Sequence, residues 1–467
     1  MRNLLSPLRL EPSELQNRIV STAHQTTLIR DHLPTDDFVA YHEARAAGGA
    51  GLIVLEAAAV HPSGLLTGKT LGIFDDVAVP ALARVADAVH AHGTRLFVQL
   101  FHGGREQIMS PPRQPAVAPS AIPTPRFHVE PRALEGHEVE EIVAGYGKGA
   151  AIAAAAGLDG VEISAAHNYL IAEFFSPETN HRTDEWSDGR RLLQAVLGSV
   201  RDAAPELAVG VRVSADAPVT GAIVEQLAGR ADYVSFALGD ASTLAGAVGI
   251  VPPPPVPRNA IADRADRHRP ALSRIVTSRI VEPAEADALI ASGRGDAVGM
   301  TRALIVDPDM PLKLRSGREH ELLRCIGCNV CIAHYHAGTP IAWAQNPRTG
   351  RERQLGPPQP AGERLRVVVI GAGPAGLAAV REAALRDHEV VVFEREDEIG
   401  GQVRLMRDAP GQSEIAETLV GNYDETLRSA HVELRLGTAA DVDRIGALAP
   451  DLVVVATGAA PYRPPIP

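Results

Sequence analysis

The stretch Arg366-Val-Val-Val-Ile-Gly-Ala-Gly-Pro-Ala-Gly-Leu377 decides how this chain is organised. An apolar run turns through closely spaced glycines into an Ala-rich helical pattern. A second apolar run, Glu389–Phe393, follows and ends at Glu394. This order is typical of the first βαβ unit of a dinucleotide-binding Rossmann domain. Because the unit begins only at residue 366, most of the chain must fold before it as something else.

The glycines of this stretch have separate roles in such a unit. We expect Gly371 to permit the tight turn and Gly373 to let the backbone approach a pyrophosphate. Gly376 should allow the helix to pack closely on the strand, and Glu394 should accept a hydrogen bond from a ribose hydroxyl. A glycine-rich turn in another kind of α/β unit is the alternative interpretation.

Before this stretch, up to about residue 310, the chain repeats a short apolar run, a loop and an Ala-rich amphipathic stretch. Eight such units predict an α/β fold of the (β/α)8 TIM barrel type. A doubly wound sheet would not normally need eight parallel strands before a second nucleotide motif. The predicted strands are Ile19–Ser21, Gly51–Leu55, Leu96–Leu100, Gly160–Ile163, Val209–Val213, Tyr233–Phe236, Leu272–Thr277 and Ala297–Met300.

Bulk composition narrows the class of protein. The mass of 49.4 kDa suggests two or three domains. A net charge of −12 argues against nucleic acid or an anionic membrane as a partner. No apolar run is long enough to span a bilayer, and three cysteines do not make a disulfide framework. We therefore expect a cytoplasmic location.

The three cysteines of the chain, Cys325, Cys328 and Cys331, all lie within seven residues. The spacing C-x2-C-x2-C is typical of iron–sulfur or zinc ligands. A fourth cysteine is absent from the sequence, and His334 and His336 are nearby candidates for the remaining ligand. Reduced thiols without a metal are the alternative interpretation.

Motifs spread over nearly the whole chain resemble the old yellow enzyme superfamily. The resemblance is to its iron–sulfur flavoprotein branch, of the 2,4-dienoyl-CoA reductase and trimethylamine dehydrogenase types. The cysteine cluster and the glycine-rich turn follow the barrel motifs in family order. Those barrel motifs are Asn17–Val20, Gln99–Arg105, Asp159–Leu170, Ser176–Asp184 and Asp296–Arg302.

The resemblance implies FMN at the C-terminal end of the barrel. Gln99 matches the residue that binds the flavin pyrimidine edge, and Arg212 matches the arginine near flavin N1. Arg279 and Arg302 match the loops that hold the FMN phosphate. His24, after the first strand, is expected near the flavin.

The resemblance also implies a reaction. Tyr169 matches the proton donor, and His167 matches the residue that binds substrate and polarises its carbonyl. In intact relatives electrons would pass from NAD(P)H through FAD and a 4Fe-4S cluster to FMN, and then to a small unsaturated carbonyl or thioester. The alternatives are an amine dehydrogenase and a non-catalytic chain. In a purely structural interpretation, Tyr169 is an aromatic residue of the core and His167 is a capped histidine of a loop.

We therefore predict an FMN-binding barrel at residues 1–317, a cysteine segment at 318–346, a linker at 347–365 and a partial FAD-binding Rossmann domain at 366–467. In the family, the strand that ends in Ala456-Thr-Gly458 is followed by a nicotinamide-binding domain and then by the second half of the FAD domain, and this sequence stops at Pro467 before both. We therefore expect FAD binding to be weak or absent and the NAD(P)H site to be missing. Ser278 replaces a glycine of the family's phosphate turn. A homo-oligomer or a separate electron donor is left open.

Overall fold

The computed structural model describes residues 1–107, 115–428, 431–459 and 464. The Pro-rich stretch Pro111–Pro131, which follows the third predicted strand, predicts an active-site loop or lid, and its residues 111–114 lie outside the described residues. The chain forms two compact units. The first comprises Met1–Glu319 and Asn329–Arg353, and the second comprises His320–Cys328 and Gln354–Pro467.

The first unit is built on eight parallel strands that close into a barrel. Strand β8 pairs with β1, and β1 pairs with β2, so the sheet of the barrel closes on itself. The predicted (β/α)8 barrel is confirmed, and each predicted strand overlaps an observed one. The strands are β1 (Ile19–Ser21), β2 (Leu52–Ala59), β3 (Arg95–Phe101), β4 (Gly160–Ala165), β5 (Ala208–Ser214), β6 (Tyr233–Ala237), β7 (Ser273–Thr277) and β8 (Ala297–Gly299).

The N-terminal end of the barrel is filled with apolar side chains. A hairpin of Leu8–Leu10 and Ser13–Leu15 brings Leu10 and Leu15 into one buried cluster with Phe97 and Tyr233. All barrel strands are parallel, so their carboxyl ends lie together at the opposite end. We call this end, with the loops that follow the strands, the barrel mouth. Because the other end is packed, a ligand site is expected at the mouth.

Helices surround the barrel and cover the outward faces of its strands. The helix Gly189–Ala203 buries Leu192, Val196 and Val200, which recur at helical spacing along one face. The first unit contains helices Asp36–Ala47, Ala78–His90, Gly136–Ala155, Leu170–Phe175, Gly189–Ala203, Thr220–Val224, Leu244–Ile250, Ala260–Ala265, Pro283–Ala291, Thr301–Val306, Met310–Arg315, Val330–His336 and Glu352–Leu355. Shorter pieces are the strands Ile29–Arg30, Leu33–Pro34, Leu71–Gly72, Val117–Ala118 and Arg132–Ala133 and the 3₁₀ turns Pro62–Gly64 and Gly104–Glu106.

The second unit contains a four-stranded parallel sheet in the order β11-β10-β9-β12. Its apolar strands pack against the helix Pro374–Leu385, which follows the glycine-rich turn. The strands are β9 (Arg366–Ile370), β10 (Glu389–Phe393), β11 (Val432–Arg435) and β12 (Leu452–Val455), and the other helices are Glu319–Glu321, Gly401–Met406, Ser413–Gly421, Asp424–Leu427 and Val442–Gly446. The expected Rossmann-type βαβ unit is confirmed.

Among the described residues, every helix is too short or too polar to cross a lipid bilayer.

Candidate active site

A buried polar network lies inside the barrel near its mouth. Glu162 of β4 is fully buried and accepts a hydrogen bond from Gln99 Nε2 at 2.8 Å. Tyr233 donates its hydroxyl to the other oxygen of Glu162 at 3.3 Å, and Arg212 Nη1 lies 3.9 Å from Glu162 Oε1. Alternation along β3, β4 and β5 turns these side chains inward. The network holds Gln99 and Arg212 side by side at the mouth.

This donor set fits a flavin. Gln99 uses its amide nitrogen on Glu162, so its carbonyl oxygen is left to accept from a ligand N–H. Burial lowers the pKa of Arg212, but an arginine stays charged in proteins. Ser164 is paired in register with Arg212, and its buried hydroxyl has no hydrogen-bond partner among the described residues. An acceptor, a cation and an unused hydroxyl suit the polar edge of FMN.

The loops after β7 and β8 bring two further arginines to the mouth. Arg279 Nη1 donates to Pro254 O at 2.7 Å, and Arg302 Nη1 donates to Pro252 O at 2.9 Å. Arg302 also donates to Asn329 Oδ1 at 3.1 Å. Ser278 has a φ of 125°, in the region that favours glycine. Two guanidinium groups beside a glycine-like turn suit a phosphate.

His24 follows β1 and is held in one tautomer. Its Nδ1 lies 2.8 Å from Thr22 O, which can only accept, so Nδ1 carries the proton. Its Nε2 lies 2.7 Å from the Tyr41 hydroxyl and accepts from it. Burial lowers the pKa of His24 to about 4, so the imidazole is neutral at pH 7. The ring thus has no proton left to donate to a ligand.

His167 lies at the end of β4, in a left-handed backbone conformation with a φ of 59°. Its Nδ1 lies 3.2 Å from Gly239 O, and Ser214 Oγ receives the backbone N–H of His167 at 2.9 Å. Burial, and then the charge of Arg212, lower the pKa of His167 to about 3. Because Gly239 O can only accept, Nδ1 carries the proton and Nε2 is an acceptor.

Tyr169 lies two residues beyond His167, with its ring between two others. The ring centroid lies 4.6 Å from that of Phe101 and 6.2 Å from that of His167, both at nearly right angles. Burial raises the pKa of Tyr169 well above its usual range. Within the described residues its hydroxyl makes no hydrogen bond to a protein group. The two predicted catalytic residues are therefore brought together at the mouth.

Two further acidic residues near the mouth, Glu56 and Glu106, were not predicted from the sequence. Glu56 is fully buried where the register of β2 on β3 shifts between Leu55 and Ala57. One of its carboxylate oxygens accepts from Thr26 N at 3.0 Å and from Thr26 Oγ1 at 2.6 Å. Burial raises the pKa of Glu56 to about 8 and that of buried Glu106 to about 7. A lone Glu in the apolar run Leu52–Ala59 was the available signal.

In the cysteine segment, Gly327 N donates to Cys325 Sγ at 3.4 Å. No three His, Cys, Asp or Glu side chains among the described residues form a group that could hold a metal ion. Of the two histidines considered as further ligands, His334 has its Nδ1 2.8 Å from Pro340 O. Burial lowers the pKa of His336.

The glycine-rich turn of the second unit has the geometry that its sequence predicts. Gly371 has a φ of 102°, and a Cβ on Gly376 would lie 1.8 Å from Gly371 O. A Cβ on Gly373 would meet its nearest neighbour only at 3.9 Å. Glu394 accepts from Ala372 N at 2.7 Å and from Glu396 N at 3.0 Å. This carboxylate therefore also orders the turn.

Comparison with known proteins identifies the family of each part of the chain. Residues 3–321 match the NADH:flavin oxidoreductase / NADH oxidase family, and residues 365–467 match the pyridine nucleotide-disulphide oxidoreductase family. The chain is 33% identical to an N,N-dimethylglycine/sarcosine dehydrogenase of Chromohalobacter salexigens, over 99% of this chain and 70% of the relative. It is 35% identical to a metal reductase of Desulforamulus reducens, over 100% of this chain and 72% of the relative.

A solved structure of 2-naphthoyl-CoA reductase in complex with 2-naphthoyl-CoA superimposes with a TM-score of 0.92 and 28% identity. It covers 100% of this chain, which spans 75% of that structure. The resemblance found in the sequence motifs is thereby confirmed. The chain belongs to the NADH:flavin oxidoreductase / NADH oxidase family and is an FMN-dependent oxidoreductase.

Proposed function

We propose that the barrel mouth reduces an activated C=C bond of a small molecule, with Tyr169 as the proton donor. The observation that carries the proposal is the Tyr169 hydroxyl, which lies beside His167 at the end of β4 and has no hydrogen bond to any residue that the structure describes. The similarity to 2-naphthoyl-CoA reductase supports an unsaturated carbonyl or thioester as the substrate class.

The residues at the mouth have separate roles in this reaction. FMN, when bound, supplies hydride transfer to and from carbon. Gln99 and Arg212 would hold the polar edge of FMN, and Arg279 and Arg302 its phosphate. The high pKa of Tyr169 keeps its phenol protonated until the carbon next to the carbonyl becomes strongly basic. The proton then goes to this carbon, while the neighbouring carbon has received the hydride.

One observation favours a second candidate function, the oxidation of an N-methyl amine. Because the Gly239 carbonyl takes the proton of His167 Nδ1, His167 Nε2 accepts a hydrogen bond, whereas polarising a carbonyl would need a donor. An acceptor suits a substrate N–H. The similarity to N,N-dimethylglycine/sarcosine dehydrogenase supports this alternative.

The remaining redox groups are proposed from the sequence. The second unit would bind FAD at Gly371, Gly373, Gly376 and Glu394, and an iron–sulfur cluster would use Cys325, Cys328 and Cys331. In intact relatives electrons from NAD(P)H would reach FMN through these groups, and in this chain an external reductant or nicotinamide at the barrel mouth would reduce FMN. The cluster rests on cysteine spacing alone, so it is tested by iron, sulfide, zinc, FMN and FAD analysis of anaerobically purified protein. Zinc in place of iron and sulfide would refute the cluster.

The proposed reaction is tested with the two half-reactions. Reduced enzyme should be reoxidised by cyclohexenone or an enoyl thioester, and N-methyl amines should leave oxidised enzyme unchanged. Tyr169→Phe should slow the reoxidation roughly 10²- to 10⁴-fold, because general acid catalysis is lost. Tyr146→Phe is the matched control, since its buried hydroxyl also lacks a partner among the described residues. If N-methyl amines reduce the oxidised enzyme and alkenes fail to reoxidise the reduced enzyme, the second function is established instead.

A further inference from the structure

We propose that Arg126 binds a carboxylate of the substrate, so that this enzyme acts on small carboxylic acids. The inference rests on the proposed function of the mouth and narrows its substrate class. Both candidate reactions have acid forms: an unsaturated acid for reduction and an N-methylated amino acid for oxidation. Arg126 lies in the loop after β3. It is not one of the residues assigned to FMN.

Backbone contacts place Arg126 beside the catalytic pair. Its Nη1 donates to Ala241 O at 3.3 Å. The N–H of Ala241 in turn donates to His167 O at 2.9 Å. One residue therefore separates the guanidinium from the backbone of His167, and Tyr169 is two residues further along. A group held by Arg126 would lie next to the proposed proton donor.

The loop that carries Arg126 is anchored to the barrel. Thr124 is fully buried, and its hydroxyl lies 3.2 Å from both Glu106 Oε2 and Ser242 O. The backbone N–H of Arg126 donates to Thr124 Oγ1 at 3.4 Å. The Arg126 guanidinium also lies over the Phe127 ring, 4.7 Å from its centroid. These contacts hold the cation in place, which favours ligand binding because little conformational freedom remains to be lost.

The charges around Arg126 leave room for an anion. Among the described residues, no carboxylate lies within ion-pair distance of its guanidinium. Asp240 accepts from Ser242 N at 2.7 Å, and Glu106 accepts from Thr124. The positive charge of Arg126 nevertheless reaches the site: burial raises the pKa of Tyr169, and the nearby Arg126 guanidinium opposes part of that rise. A half-buried guanidinium without a counter-ion suits a carboxylate, which it can bind with two parallel hydrogen bonds.

The test is equilibrium binding of two probes of equal shape, cinnamate and cinnamamide, to the flavin-loaded full chain by calorimetry. Cinnamate should bind roughly 10- to 100-fold more tightly than the amide, because it adds charge-assisted hydrogen bonds. Arg126→Met should remove this preference and leave amide binding within about threefold. Arg126→Lys should retain part of it. The matched control is Arg132→Met, since Arg132 is exposed on the same loop and pairs with Glu138.

Three outcomes would overturn the proposal. Equal affinity of the native protein for both probes would show that no carboxylate is recognised. If Arg126→Met weakens the binding of both probes equally, and Arg126→Lys does not restore binding, Arg126 has a structural role. Displacement of cinnamate by inorganic phosphate at lower concentration would assign the cation to a phosphate group. Because binding needs no turnover, these outcomes are separate from failure of the proposed reaction.

Discussion

At the scale of single residues, protonation states at the mouth follow from burial and from backbone acceptors. His24 and His167 each give Nδ1–H to a carbonyl, and burial lowers the pKa of both, so each is a neutral acceptor at pH 7. Tyr169 is the opposite case, a half-buried donor whose pKa is raised by burial. The site therefore contains one well-defined donor beside an acceptor.

Ser278 allows a prediction about strain in the phosphate turn. Its φ of 125° is unfavourable for a residue with a Cβ. Ser278→Gly should therefore raise the free energy of unfolding by about 1 kcal/mol. Chemical denaturation of the flavin-loaded chain measures this change in the free energy of unfolding. The control is Ser273→Gly in β7, where a glycine should cost about 0.5–1 kcal/mol. An equal loss of stability in both variants would contradict the assignment of strain.

At the scale of the secondary-structure element, a bulge in β2 turns one acid into the protein interior. Glu56 occupies the point at which the register with β3 shifts, and in the described part of the chain its hydrogen bonds come from Thr26 alone. Its other oxygen is buried without a partner among the described residues. Bulges often occur beside active sites, where they redirect a side chain.

This bulge predicts a pH dependence of stability. The pKa of Glu56 is raised from 4.5 to about 8, so the folded state holds the proton more strongly than the unfolded chain. The corresponding stability is present below pH 4.5 and is lost as the pH rises through 8. Glu56→Gln should therefore come within about 1 kcal/mol of the native protein at pH 5 and exceed it by roughly 4–5 kcal/mol at pH 9.

The measurement for Glu56→Gln is denaturant unfolding at a series of pH values. The exposed Glu141 on the helix Gly136–Ala155 provides the control, and Glu141→Gln should leave the curve of stability against pH unchanged. A variant curve parallel to that of the native protein across pH 5–9 would show that Glu56 does not hold a proton in the folded state.

The glycine-rich turn gives a second prediction at this scale. A Cβ at position 376 would lie 1.8 Å from Gly371 O, whereas one at 373 would be 3.9 Å from its nearest neighbour. Gly376→Ala should destabilise the second unit by about 3 kcal/mol or more. Gly373→Ala should keep the fold but weaken binding of FAD or ADP. Thermal unfolding and ligand titration separate the two effects. Equal stability of both variants would contradict the close packing at Gly376.

At the scale of the whole molecule, the two compact units predict two unfolding transitions. Added FMN should raise the midpoint of one transition, since a ligand at about 100 times its Kd adds about 2.7 kcal/mol of stability. Riboflavin should raise it less, because it lacks the phosphate assigned to Arg279 and Arg302. Scanning calorimetry makes the measurement. A single transition, or equal effects of the two flavins, would contradict these assignments.

Much of the fold was predictable because its signals are local. Each barrel strand is a short apolar run between turns, and the run Tyr233–Phe236 differs by one residue from the observed β6. The turn of the second unit was predicted in detail, since Gly376 packs against the backbone of Gly371, only five residues before it. Gln99, Arg212, His167 and Tyr169 were found through resemblance, because motifs keep their order along the chain.

The remaining features depend on residues that are distant in sequence. The sequence by itself determined where strands, turns and chemical groups occur, since apolar periodicity and glycine act over a few residues. Only closure of the barrel decided that Glu162 meets Gln99 and Arg212, that Thr26 covers Glu56, and that Arg126 reaches Ala241. It also decided protonation, because the pKa of a buried group depends on the desolvation and the partners that the folded chain provides.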